Sequence, residues 1–137
     1  SIHSGFRQTK KQLTDRIISA MKNPYVSIIA HPTGRLIGER DAYELDMDEV
    51  LKVAKETGTA LEINAYPLRL DINDTYAKIA NEKGIPIVIS TDTHVVNQFY
   101  FMRYGISIAR RGWLEKGDIL NTLDAERLLK RLKPLKK

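Results

Sequence analysis

Asp92 and His94 stand two residues apart at the end of an apolar run, in the segment PIVISTDTHVV (86–96). Side chains at i and i+2 leaving an extended strand point to the same side. A carboxylate oxygen and an imidazole nitrogen can therefore address one point in space. That donor pair suits zinc, manganese or iron rather than calcium or a thiolate-only centre. The two other histidines, His3 and His31, also fall where a strand gives way to a loop. Each has a plainer role open to it. Asp92 or Thr93 can cap the following helix, His31 can serve the turn at Pro32, and His3 can be a surface residue. The joint placement of all three histidines at such junctions favours a metal site.

The elements that must position these residues are legible from spacing. Thr9 to Met21 reads as a helix, with Leu13, Ile17, Ile18 and Met21 at helical intervals and Asn23-Pro24 as its stop. Tyr25 to Ala30 (YVSIIA) reads as a strand running into His31-Pro32-Thr33-Gly34-Arg35. Asp46, with Glu49 three residues on, starts a second helix that Gly58 closes. Thr59 to Ile63 is the next strand, with Glu62 near its end and Asn64 just beyond. Asn73 caps a helix over Asp74 to Lys83, and a strand over 85–89 follows. Val95 to Tyr104 reads as helical and Gly105 to Trp113 is ambiguous. Leu114 to Leu120 and Asp124 to Leu132 read as short terminal helices. Helix and strand alternate throughout, which implies parallel strands with helical crossovers. Sites in such sheets form at the carboxyl ends of the strands, where His31, Glu62, Asn64, Asp92 and His94 lie.

The bulk numbers exclude several classes. The chain has 137 residues, one domain at most, with 42% apolar and 28% charged residues, an ordinary globular balance. It has no cysteine, which removes disulfides and thiolate chemistry. No apolar run is long enough to span a bilayer, so no membrane role is expected, and the lack of cysteine fits the expected cytoplasmic location. A G-x-S-x-G elbow, a P-loop and a G-x-G-x-x-G loop are all lacking, which argues against a serine hydrolase and a nucleotide cradle. The formal net charge of +5 suits phosphate-rich partners, although the basic tail over 130–137 supplies much of it as a solvated end.

Together, HPTGR (31–35), ALEINAYPLRLD (60–71), ISTDTH (89–94), ARRGW (109–113) and LNTL (120–123) resemble the polymerase and histidinol phosphatase (PHP) domain. The resemblance extends to the opening segment over 3–21 and is nearest to the C-terminal PHP domain of bacterial and archaeal family X DNA polymerases. It implies an α/β fold, a distorted seven-stranded (β/α) barrel of the TIM-like kind. It implies His3, His31, Asp92 and His94 as metal ligands, with Glu62 and Asn64 behind them. It implies divalent manganese or zinc, with magnesium as a further option, and metal-activated water as the nucleophile for phosphoester hydrolysis. In the polymerases that chemistry is 3′-5′ exonuclease and DNA-end processing, tied to DNA repair. The family's opening H-x-H and T-D-H motifs precede the histidine matched by His3 and do not occur here. Residues 1–137 are therefore expected to be a single domain, the C-terminal part of a PHP domain and an incomplete barrel.

The basic residues carry two readings each. Arg35 and Arg69 lie just beyond strand ends and can bind phosphate bidentately, or pair with Glu39, Asp41 or Asp71. Arg110 and Arg111, beside Trp113, can grip a DNA backbone, while Trp113 itself is favoured as a core anchor. Tyr66 is either a plain loop residue or a stacking platform. The expected partners are DNA 3′ ends or a phosphorylated small molecule, together with the remainder of a polymerase chain. An uncovered barrel edge would also allow self-association. The alternatives to an exonuclease module are a small-molecule phosphatase and a non-catalytic fragment that binds DNA or protein.

Overall fold

The computed structural model describes residues 1–132. Three parallel strands, β1 (Ile28–Ile29), β2 (Ala60–Asn64) and β3 (Ile87–Ser90), form one sheet in the order β1-β2-β3. The register sets Ile29 beside Leu61, and Ile63 and Asn64 beside Ile89 and Ser90. All five residues of β2 are buried, as expected for a central parallel strand covered on both faces. A three-stranded parallel α/β sheet is thus present.

Helix α1 (Lys10–Lys22) starts at a capping box between Thr9 and Gln12. It buries Leu13, Ile17, Ile18 and Met21, the stripe read from the sequence. Helix α2 (Met47–Thr57) is capped by Asp46 and closed by Gly58. It packs beside α1, and the Thr14 hydroxyl accepts the Asp46 N–H at 2.9 Å. Helix α3 (Asp74–Glu82) is capped by Asn73. Helix α4 (Met102–Arg111) then crosses close over the strand ends. A Cβ on Gly105 would lie 2.4 Å from Ile89 Cγ2 and 2.9 Å from Ala65 Cβ, so the close crossing needs glycine there. Helix α5 (Ala125–Arg131) ends the described chain. The expected solvated basic end lies largely outside the described residues.

Three elements differ from expectation. The helix expected over Leu114 to Leu120 is replaced by two 3-10 turns, Lys116–Asp118 and Leu120–Thr122. The strand expected over 25–30 is cut to two residues. Asn23 Oδ1 accepts the Tyr25 N–H at 2.9 Å, and the Asn23 carbonyl accepts the Val26 N–H at 3.1 Å. This turn uses the donors that a longer strand would offer. The helix expected from Val95 begins as a 3-10 turn over Val96–Phe101 that buries none of its side chains. Only from Met102 does it become α-helical, and it runs through the ambiguous stretch to Arg111.

The outer edge of β3 is not open. The Asn121 amide donates to the Ile89 carbonyl at 2.9 Å and accepts the Ile89 N–H at 2.8 Å, while Ile119 forms a parallel bridge with Ile87. One side chain thus satisfies both edge groups of Ile89. On the other side, β1 has no second strand neighbour among the described residues. No helix among them is long and apolar enough to cross a membrane.

Candidate functional site

Residues after β2 and β3 line a polar cleft, and the loop after β1 is tied to the β2 exit beside it. His31 is buried and takes a positive φ of 30°. Its N–H donates to Glu62 Oε2 at 2.5 Å, so an acid on β2 fixes the backbone of the β1 exit. Glu62 also accepts from Asn64 Nδ2 at 3.2 Å and from the Ser90 hydroxyl. Glu62, itself held by Asn64, therefore braces His31 through its backbone N–H, while the buried His31 Nδ1 is left without a hydrogen bond.

Asp71 holds the rest of this loop. It is 1% exposed, and its Oδ2 accepts the N–H groups of Thr33 and Gly34, each at 2.9 Å. Gly34 has a φ of +60°, and a Cβ there would lie 2.1 Å from the Tyr43 ring. The loop can close only with glycine at this position. Burial pushes the Asp71 carboxyl up to about 6, against the pull of its two N–H donors. Sequence reasoning considered Asp71 only as a surface partner for an arginine. A buried loop acid has no periodicity to betray it.

The four expected ligands fall into two pairs, His3 with His31 and Asp92 with His94, and His31 is near enough to Asp92 to feel its charge. Among the described residues no strand precedes His3, so the strand exit expected there is not found. The His3 and His31 rings meet edge to face, with centroids 5.3 Å apart. Asp92, also at a positive φ (51°), and His94 line one cavity of about 280 Å³ together with Tyr66, Arg69 and Gln98. Burial holds His31 down to about 4, helped by the nearby Arg69 cation, so its ring is neutral near pH 7. Its Nδ1 is buried and has no hydrogen-bond partner.

The residues are close but not closed around a common point. Among the described residues, no three His, Asp or Glu side chains are gathered as a ready ligand set. Asp92 Oδ2 is paired with Arg69 Nε at 3.0 Å. His94 Nδ1 lies 2.7 Å from the Asp92 carbonyl oxygen, and His3 Nε2 lies 2.6 Å from the Ser1 hydroxyl. The donor set nonetheless fits a divalent transition ion. It offers a neutral imidazole with a free buried nitrogen, two accessible imidazoles and a carboxylate now neutralised by a cation. A guanidinium on Asp92 occupies the position that a metal charge would compete for.

The remaining arginines are placed differently from one another. Arg35 donates from Nε and Nη2 to the backbone carbonyls of Arg69 and Leu70, which ties the β1 exit to the β2 exit. Arg69 pairs with Asp92 rather than with Glu39, Asp41 or Asp71, and its buried Nη1 has no partner. Arg111 pairs with Asp74 at 2.9 Å, and Arg110 lines an apolar groove between α4 and the segment over 114–122. Trp113 is not a core anchor: it is 79% exposed. The turn that ends α4 gives it a φ of 62° and carries the indole outward, while Leu114 takes the buried position.

The fold is a parallel α/β sheet with polar and charged residues at its strand exits, and comparisons with known proteins narrow its relationships. The chain is 46% identical over 134 residues to the DNA polymerase/3′-5′ exonuclease PolX of Bacillus subtilis (strain 168), an alignment covering 96% of this chain and 24% of that protein. It is 31% identical over 115 residues to a probable phosphatase of Thermoanaerobacter sp. (strain X514), covering 80% of this chain and 44% of that protein. A probable phosphatase of Acetivibrio thermocellus is 31% identical over 93 residues, covering 64% of this chain and 36% of that protein. No protein-family profile matches. The chain spans about a quarter of PolX and less than half of these phosphatases. The resemblance read from the motifs is borne out: the chain is similar to PolX and to these probable phosphatases, which is consistent with a PHP-type segment.

Proposed function

We propose that the chain is part of a metal-dependent phosphoesterase module that trims DNA 3′ ends within a PolX-like polypeptide, in the cytoplasm. One observation carries this reading. The same segment is similar both to a polymerase with an exonuclease and to probable phosphatases, and the chemistry those names share is phosphoester hydrolysis. In this reading the three strands belong to a (β/α) barrel completed by further chain.

His3, His31, Asp92 and His94 would hold divalent manganese or zinc. Such an ion supplies Lewis acidity toward a phosphate oxygen and an activated water. The protein's own groups do the positioning. Glu62 and Asp71 fix the two ends of the His31 loop, and burial keeps the His31 ring unprotonated and able to donate a lone pair. Arg69 would supply positive charge on the cleft wall, suited to a phosphate oxygen. The identity to PolX, greater and longer than that to the phosphatases, favours DNA over a small phosphorylated molecule.

The test is manganese-dependent cleavage of an end-labelled single strand by the chain and by His94→Ala. Cleavage abolished in the variant supports the reading. Turnover confined to small phosphates supports the phosphatase alternative. Salt-sensitive DNA binding with no turnover supports a non-catalytic binding role.

A further inference from the structure

The segment leaving the cleft after His94 is unusually aromatic and unusually bare. Val96, Phe99 and Tyr100 are 81%, 64% and 50% exposed, on a turn that buries none of its side chains. Isolated exposed apolar residues need no explanation, but a contiguous cluster does. Tyr100 is also held in place by its neighbours. Tyr100, Phe101 and Tyr104 lie 5.4 to 6.0 Å apart between centroids, and the Tyr100 and Tyr104 hydroxyls are 2.8 Å apart. The Arg103 guanidinium sits 4.2 Å over the Tyr100 ring and 5.3 Å from that of Tyr104, and donates to the Tyr100 hydroxyl at 3.0 Å. No carboxylate among the described residues pairs with Arg103.

Tyr66 joins this cluster to the cleft. Its ring meets Phe101 edge to face at 5.7 Å, and it lines the cavity that contains Asp92 and His94. An aromatic shelf with an unpaired cation therefore begins at the mouth of the cleft. Interleaved rings and arginine are the composition that binds unpaired nucleotides, with bases on the ring faces and phosphates on the guanidinium. A stacked duplex offers no free base faces to such a shelf.

We propose that the surface formed by Phe99, Tyr100, Arg103 and Tyr104 is a stacking platform for unpaired DNA bases next to the cleft, with Tyr66 at the point where the strand enters. The platform delivers a frayed 3′ end and thereby selects single strands. This inference rests on the reading of the cleft as a DNA-processing site.

The test is fluorescence anisotropy with a labelled oligothymidylate and with an abasic strand of equal length, in chelator so that nothing is cleaved. Phe99→Ala and Tyr100→Ala should each weaken oligothymidylate binding about 5- to 100-fold. Tyr100→Phe, which keeps the ring, should bind nearly as wild type. Arg103→Gln should reduce the salt slope by about 0.7. The abasic strand should bind the wild type as weakly as oligothymidylate binds the alanine variants. Circular dichroism verifies that each variant is folded. Equal binding of abasic and base-bearing strands overturns the proposal, as do alanine variants that bind like wild type. A dimer lost in Phe99→Ala with DNA affinity intact would assign the surface to a second copy, and overturns it too. Manganese-dependent hydrolysis of bis-p-nitrophenyl phosphate by the wild type tests the phosphoesterase reading separately. If that fails while the binding differences hold, the platform stands and the hydrolytic reading falls.

Discussion

Replacing Asp71 with asparagine should expose a pH dependence of stability that the wild-type chain conceals. Two buried groups beside the cleft titrate in opposite senses. Burial, with Arg69, holds His31 at about 4 against an ordinary 6.5. Between those values the unfolded chain binds a proton that the folded chain does not, so stability rises with pH. The His31 contribution is complete above pH 6.5 and is lost as pH falls through about 4. Burial lifts Asp71 to about 6 from an ordinary 3.8. Here the folded chain holds the extra proton, so the Asp71 contribution is complete below pH 3.8 and is lost as pH rises through about 6. Each shift is worth roughly 3 kcal/mol. The two oppose each other in the wild type. Asp71→Asn keeps an oxygen to accept the Thr33 and Gly34 N–H groups but cannot ionise. Urea unfolding in chelator should then show the variant gaining about 3 kcal/mol relative to wild type between pH 4 and pH 6.5. His31→Asn should lose about the same amount relative to wild type over that range. Groups that titrate alike in both chains drop out of the difference. An Asp71→Asn profile parallel to wild type, or one falling with pH, would refute the reasoning.

Three further outcomes follow from single contacts. Gly34→Ala adds a methyl 2.1 Å from the Tyr43 ring at a φ of +60°, and should lower the unfolding free energy by roughly 3 kcal/mol in urea titration. Asn121→Ala strips both hydrogen-bonding partners from Ile89 on the edge of β3. It should cost about 1–3 kcal/mol and increase self-association by light scattering. Arg69→Ala removes the cation that depresses His31 and pairs with Asp92. The His31 imidazole should titrate at higher pH by NMR, and an unchanged midpoint would contradict the electrostatic account of the cleft.

How much was legible follows the physics of each element. The stripe on α1, the caps Asp46 and Asn73, and the parallel strands were readable because each depends on neighbours in sequence. The convergence of strand exits was readable because parallel topology dictates it. What decides the site's chemistry is tertiary and was not readable. The burial of Asp71, the Arg69–Asp92 pair and the use of Arg35 on backbone carbonyls each join segments far apart in sequence. Trp113 was misjudged because a large apolar residue is ordinarily buried, and here the positive φ ending α4 turns it outward. The short β1 was misjudged because Asn23 takes up donors that the β-branched residues alone would have offered to a sheet.

On the proposed reading, residues from the β1 and β3 exits and from the segment before α1 share one cation, and the chain's histidine content allows a direct test. It has three histidines, and all of them belong to the proposed ligand set. A zinc titration followed by imidazole NMR reads His3, His31 and His94 at once. The account predicts that all three respond along one saturating curve, and that Asp92→Asn weakens the whole response together. Three unrelated weak curves, or a His31 that never responds, would contradict it.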